Sequence, residues 1–176
     1  MNKAGGSNTN KNGLIFENFT SLKEQIELIE KKDNYEEIKF KNKEKKLILV
    51  NKSKLFKYME DNKKLNKDIE KAHGCKNPDE CYIDEDNKII YIIEKKFQKV
   101  NGSVCEKIQT PDFKIWQYSR TFPEYKINYI YCLSKWFEEN CKAELQYLDY
   151  KKIVYFFGNQ KDYKKNLIEL IINYKE

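Results

Sequence analysis

The chain has 176 residues, 40% hydrophobic and 35% charged, with only three Pro and six Gly. That composition excludes collagen-like and Pro/Gly-rich disordered chains, and 13 Tyr with 10 Phe supply large apolar side chains for one folded core. Thirty-four basic against 28 acidic residues leave a formal charge of +6, which permits a nucleic-acid partner without requiring one. The single histidine, His73, excludes three-histidine zinc hydrolases, HExxH proteases and phosphodiesterases built on paired HxK motifs.

Met1-Asn2-Lys3-Ala4-Gly5-Gly6-Ser7 has no apolar stretch of the kind a secretory signal needs. No apolar run approaches the roughly 18 residues of a membrane span. The expectation is a soluble, cytoplasmic protein without a membrane partner. Cys75, Cys81, Cys105, Cys132 and Cys141 form no CxxC pair and have one histidine for company, so they are expected as reduced thiols packed as small hydrophobes.

Residues 1–13 are small and polar and are expected as a flexible arm. Leu14, Phe16, Phe19, Leu22, Ile26 and Ile29 recur at helical spacing, which predicts a helix from Leu14 to Lys31. Strands are expected at Tyr35–Phe40 and Lys46–Val50, then a helix over Lys54–Glu60 with Ser53 as its cap. Asp61–Lys76 is polar and poorly periodic, and places His73 in a turn or on the surface. Glu80–Asp84 and Lys88–Gln98 are strand-like around the turn-rich Glu85-Asp86-Asn87, a β-hairpin. Ile89-Ile90-Tyr91-Ile92-Ile93 is apolar on both faces, which predicts a central strand. After the Asn101-Gly102 turn, Ser103-Val104-Cys105-Glu106 has the form of a capping box for a helix towards Arg120, kinked or broken at Pro111, with Ile108, Phe113 and Trp116 inward. A strand at Lys126–Leu133, a helix at Lys135–Leu148, a strand at Lys152–Phe157 and an amphipathic helix at Asp162–Tyr174 complete the order. The expectation is one α/β domain with a mixed central β-sheet flanked by helices.

Chemistry concentrates at the hairpin. Side chains alternate along a strand, so Glu94, Lys96 and Gln98 share one face while Lys95 and Phe97 take the other. A hairpin folds Asp79, which follows Pro78, back beside Glu94. Two carboxylates and an ammonium then converge, a hard oxygen site that suits Mg²⁺ with retained waters and a phosphate. The tripeptide alone carries no weight: Glu30-Lys31-Lys32, Glu44-Lys45-Lys46, Glu124-Tyr125-Lys126 and Asp162-Tyr163-Lys164 match it too. What distinguishes Glu94–Lys96 is its place at the end of an apolar core strand, where charges cost free energy unless paired. A hairpin that simply ends in solvated charges with one ion pair is the competing interpretation.

Lys76-Asn77-Pro78-Asp79-Glu80-Cys81-Tyr82-Ile83-Asp84, then Ile92-Ile93-Glu94-Lys95-Lys96-Phe97-Gln98, then Gly102-Ser103-Val104-Cys105-Glu106-Lys107-Ile108-Gln109-Thr110 resembles type II restriction endonucleases of the PD-(D/E)xK superfamily. Gly6-Ser7-Asn8-Thr9-Asn10-Lys11-Asn12-Gly13-Leu14-Ile15-Phe16-Glu17 resembles the opening of such enzymes, where a helix presents a Glu to the active site. The resemblance implies a restriction-endonuclease-like core and Mg²⁺-dependent hydrolysis of double-stranded DNA at a specific sequence, leaving 5′-phosphate and 3′-hydroxyl ends; Mn²⁺ is expected to substitute. It implies metal binding by Asp79 and Glu94, support of the attacking water by Lys96, a completing carboxylate from Glu17 or its competitor Glu70, and a bracing role for Gln98. Asp79 and Glu80 are adjacent and face opposite ways, so only one can be the first ligand. A homodimer and a cognate DNA methyltransferase as genetic partner follow from the same resemblance. A structure-specific repair or recombination nuclease, and a non-catalytic nucleic-acid-binding module, are the alternatives.

For DNA contacts, Asn101, Gly102 and Ser103 at a helix start are candidates to hold a phosphate. Lys107, Gln109, Lys114, Gln117 and Arg120 on the following helix are candidates for backbone or base edges. Lys43, Lys45 and Lys46, or Lys63 and Lys64, form either a solvated face or a phosphate track. Tyr147, Tyr150 and Tyr155 are expected to pack.

Overall fold

The computed structural model describes residues 7–50, 54–62, 64, 77–100 and 105–174, with side chains from residue 11 onwards. Among these, seven strands form one mixed sheet in sequential order: β1 (Ile26–Lys31), β2 (Glu36–Phe40), β3 (Lys46–Val50), β4 (Glu80–Asp84), β5 (Ile89–Lys96), β6 (Lys126–Leu133) and β7 (Val154–Phe157). Strands β1 to β5 run antiparallel as a meander, and β6 and β7 then run parallel to β5. The helices are α1 (Ser7–Phe19), α2 (Leu55–Asp61), α3 (Pro111–Thr121), α4 (Lys135–Asn140), α5 (Lys142–Tyr150) and α6 (Tyr163–Asn173).

Two apolar clusters sandwich the sheet. Ile90 and Ile92 of β5 join Cys81, Ile83, Tyr129 and Tyr131 beneath α2 to α5. Ile89, Tyr91 and Ile93 join Tyr82, Ile130 and Cys132 beneath α1 and α6. All five residues of this run are buried, so β5 is the two-sided central strand its composition predicts. At about 1.5–3 kcal/mol for each large apolar side chain fully buried, this strand is the main anchor of the sheet. The hairpin closes through Asp84, which accepts the Asn87 backbone N–H at 3.0 Å and pairs with Lys45 at 2.6 Å. Beside the turn, Glu85 accepts Tyr58 (2.6 Å), Tyr125 (2.8 Å) and Lys64 (2.5 Å). Burial pushes the Glu85 carboxyl up, but Lys64, the two tyrosines and Lys88 outweigh it and bring it down to about 2.

Several expectations need correction. The helix predicted over Leu14–Lys31 stops at Phe19; a 3-10 turn at Lys23–Gln25 follows and Ile26–Lys31 is the edge strand β1. Leu28 and Ile29 are 56% and 42% exposed, so their apolar spacing reflects strand pairing with β2 and no buried helical face. Helix α1 also begins earlier than expected, taking in residues 7–13 of the proposed arm; residues 1–6 lie outside the described residues. The helix predicted from Ser103 breaks at Pro111 as expected, but the stretch before it is a 3-10 turn (Cys105–Ile108) and not an α-helix; α3 starts with Pro111 in its first turn. Phe113 and Trp116, expected inward, are 58% and 51% exposed and stack on one another at 5.8 Å. The helix predicted over Lys135–Leu148 divides at Cys141, whose backbone leaves the helical region. Tyr150, expected to pack, is exposed, whereas Tyr147 and Tyr155 lie against the core.

The thiol expectation is corrected for two residues. Cys105 and Cys141, 36 positions apart, form a disulfide with Cα atoms 5.9 Å apart, tying the 3-10 turn to the α4–α5 junction. Cys81 and Cys132 are buried free thiols, and Cys75 lies outside the described residues. No described helix is long and apolar enough to cross a membrane.

Gly158, just past β7, holds α1 against the sheet. A Cβ there would lie 2.5 Å from Thr20 Cγ2, 2.9 Å from Phe16 Cζ and 3.0 Å from Cys132 Sγ. Gly158→Ala is therefore expected to push α1 outward and cost about 1–3 kcal/mol in urea unfolding; an unchanged midpoint would show that α1 yields freely.

Candidate active site

Strand β5 delivers its charged end according to pleat. Glu94 and Lys96 continue the Ile90–Ile92 face towards α3, and Lys95 continues the opposite face towards α1. Across the hairpin, Glu80 pairs with Ile93 in register. Asp79, one residue earlier, accepts the Lys95 backbone N–H on Oδ2 at 2.8 Å, which fixes it at the start of β4. Glu94 Oε1 accepts the Lys96 ammonium and also Lys114 Nζ at 3.0 Å, from the first turns of α3.

The electrostatics follow this geometry. Burial and the Glu94 charge raise the Asp79 carboxyl above its usual range; the Lys95 N–H and Lys96 offset part of this, and Glu17 adds to the rise. Burial also works against ionisation of Glu94, but Lys96 and Lys114 outweigh it and hold that carboxyl below its usual range. The two carboxylates thus have unequal surroundings: Glu94 is doubly paired, and the repulsion on Asp79 is only partly offset.

Glu17 lies on α1, beside Asp79 in a cavity of about 390 Å³ that Leu14, Asn18, Glu80 and Lys95 also line. Its placement follows from the α1 clamp. Glu80 Oε2 and Lys95 Nζ form an ion pair at 2.6 Å with side-chain exposures of 10% and 3%. Lys95 also donates to the Glu17 carbonyl at 3.0 Å, and Glu80 accepts the Leu22 backbone N–H at 3.2 Å and the Tyr82 hydroxyl. Glu80 is thereby committed to the α1 side of the sheet, and Asp79 is the member of the pair that faces Glu94 and Lys96.

Other expected site residues are placed differently. Strand β5 ends at Lys96, so its alternation does not carry to Gln98; that side chain donates to the Val100 carbonyl at 2.7 Å, apart from the carboxylates. Glu70, His73, Lys63, Asn101, Gly102 and Ser103 lie outside the described residues. Lys107 is exposed; Gln109 donates to Glu144 at 3.1 Å; Arg120 lies over the Trp116 ring at 5.3 Å. Gln117 is buried, which removes it from a base-reading surface in this arrangement. Lys114, a candidate for DNA contact, pairs with the Glu94 carboxylate in this structure. Lys43, Lys45 and Lys64 pair with Glu169, Asp84 and Glu85, so acidic partners already offset them as a phosphate track.

Two carboxylates suit a hard cation such as Mg²⁺, which keeps several waters and needs few protein ligands. Among the described residues, the tight three-donor cluster is Cys105, Cys141 and Glu144, but its two sulfurs are bonded to each other. Sequence reasoning missed the second lysine on Glu94 and the Glu80–Lys95 clamp; no local spacing signals either, because the partners come from separate elements. Comparison with family models, with curated proteins and with solved structures finds no match to this chain.

Proposed function

We propose that this α/β protein is a metal-dependent DNA endonuclease of the PD-(D/E)xK type, with a restriction-endonuclease-like core, acting on double-stranded DNA at a specific sequence. The observation that carries the proposal is the convergence of Asp79, Glu94 and Lys96 at the carboxyl end of the central strand, with Glu17 beside Asp79. Charges placed there against burial, with repulsion on one carboxylate only partly offset, are what a cation-binding centre needs and a merely structural ion pair does not.

In this reading Asp79 and Glu94 hold Mg²⁺, with Mn²⁺ as substitute. A bound ion would supply Lewis acidity, making water at the site more acidic and neutralising charge on the phosphoryl oxygens in the transition state. The Lys96 ammonium orients the attacking water in line with the scissile bond. The water gives up a proton to solvent as its oxygen bonds to phosphorus, the bond to the 3′ oxygen breaks, and that oxygen takes a proton from solvent, leaving 5′-phosphate and 3′-hydroxyl ends. Glu17 adds negative charge on the α1 side and strengthens cation binding. The exposed Phe113–Trp116 stack on α3 is apolar surface the core does not use, and is available to a second copy in a homodimer. A cognate methyltransferase would protect host DNA.

The test is incubation of plasmid and genomic DNA with and without Mg²⁺, beside Lys96→Ala. Discrete Mg²⁺-dependent fragments, with the rate lowered about 10²–10³-fold in the variant, are expected. Cleavage confined to junctions or mismatches would move the reading to a repair nuclease, and binding without cleavage would move it to a binding module.

A further inference from the structure

Lys114 occupies a position that the water-orienting role of Lys96 leaves unexplained. Its Nζ sits 3.0 Å from the same Glu94 oxygen that accepts Lys96, so one carboxylate oxygen carries two ammonium groups. Glu94 is 14% exposed at its side chain, so the attraction acts with little screening by water. A divalent cation approaching Glu94 meets both positive charges. The two lysines are not equally free to leave. Lys96 lies on β5, paired at its backbone with Leu133 and two residues from Glu94 on the same face. Lys114 arrives on a long stem from α3, with its ammonium over the Tyr129 ring at 5.7 Å. A small rotation of that stem lifts its charge off Glu94, and a phosphate oxygen brought to the metal is the natural new acceptor for it.

We propose that Lys114 is an exchangeable counter-ion: it holds Glu94 while the site is empty and passes to a backbone phosphate as nucleic acid arrives. Lys114 thereby lowers cation affinity in the free protein and couples cation binding to nucleic-acid binding. Linkage makes the effect reciprocal, so Mn²⁺ tightens nucleic-acid binding by the factor that nucleic acid tightens Mn²⁺. The inference rests on the metal-site reading above and adds a positioning role that reading does not require.

The experiment is calorimetric titration of the full chain with Mn²⁺, alone and with a short mixed-sequence duplex, in wild type, Lys114→Met, Lys114→Arg and Asp79→Asn. Without duplex, Lys114→Met is expected to bind Mn²⁺ at least about tenfold more tightly than wild type, and Lys114→Arg within about twofold of it. The extra Mn²⁺ affinity conferred by duplex is expected to shrink in Lys114→Met. Mn²⁺ affinity that is lost in Asp79→Asn but unchanged or weaker in Lys114→Met overturns this inference and leaves the metal site standing. Wild type that binds no Mn²⁺, or binds it equally well after Asp79→Asn, overturns both. Thermal unfolding of each variant, with Lys114→Arg as the charge-conserving control, separates these outcomes from loss of fold.

Discussion

Asp79→Asn is expected to lower Mg²⁺-dependent cleavage by about 10³-fold or more and, at the same time, to raise the unfolding midpoint. The activity loss follows, in the proposed function, from removing one of the two carboxylates that would hold the cation. The stability gain follows from the sign of the Asp79 shift. Burial and Glu94 raise its carboxyl above the usual range, so the folded state prefers the neutral form. The stabilising contribution of that neutral form is complete below the unfolded-state value and is lost as pH rises through the raised one. Above the raised value the wild type therefore carries the penalty of an ionised Asp79. Asn carries none and can still accept the Lys95 N–H. The advantage of the variant should grow as pH rises from the unfolded-state value through the raised one. Cleavage rates and thermal midpoints measured across that range check both halves, and a variant that cuts at the wild-type rate would remove Asp79 from the mechanism.

The largest stability effect is expected on the other face of the same hairpin. Lys95→Met would leave Glu80 buried as an unpaired carboxylate, with only the Leu22 N–H and the Tyr82 hydroxyl as donors. Breaking one side of a buried pair costs about 3–5 kcal/mol, a large part of the roughly 5–15 kcal/mol that holds a domain together. The double variant Glu80→Gln/Lys95→Met removes both charges and should recover much of that loss. Urea unfolding of the single and double variants measures the coupling. A single-variant loss under about 1 kcal/mol, or strictly additive losses, would mean that the pair does not clamp α1.

These two expectations concern adjacent residues, and they show how far local pattern reaches. The alternation of β5 is legible in Ile89–Ile93: a strand apolar on both faces must be central, and the residues that follow must divide Glu94 and Lys96 from Lys95. The same period-two rule requires Asp79 and Glu80 to face opposite ways. It does not say which of them meets Glu94. That was decided by Lys95 reaching Glu80 beneath α1, a contact between elements 15 residues apart whose geometry depends on where α1 docks. Helical spacing misled at Ile26–Lys31, because Ile and Leu at those intervals also suit a strand, and pairing with β2 settled the matter. It misled again at Phe113 and Trp116, whose apolar character suggested burial although α3 turns them to solvent.

The sequence by itself determined the α/β class, the hairpin, the central strand and the division of its charged end between two faces. Each of these depends on backbone geometry that repeats every two or few residues, so neighbouring side chains carry the information. Only the tertiary structure decided that Cys105 meets Cys141, that Gly158 admits α1, that Gln98 leaves the site and that Lys114 enters it. Those outcomes depend on how helices dock across a finished sheet. Docking is set by the summed packing of both apolar clusters, which no window of the chain contains. The single histidine excluded chemistries that need several; the fold then set Asp79 beside Glu94 and brought Lys96 and Lys114 onto the Glu94 carboxylate.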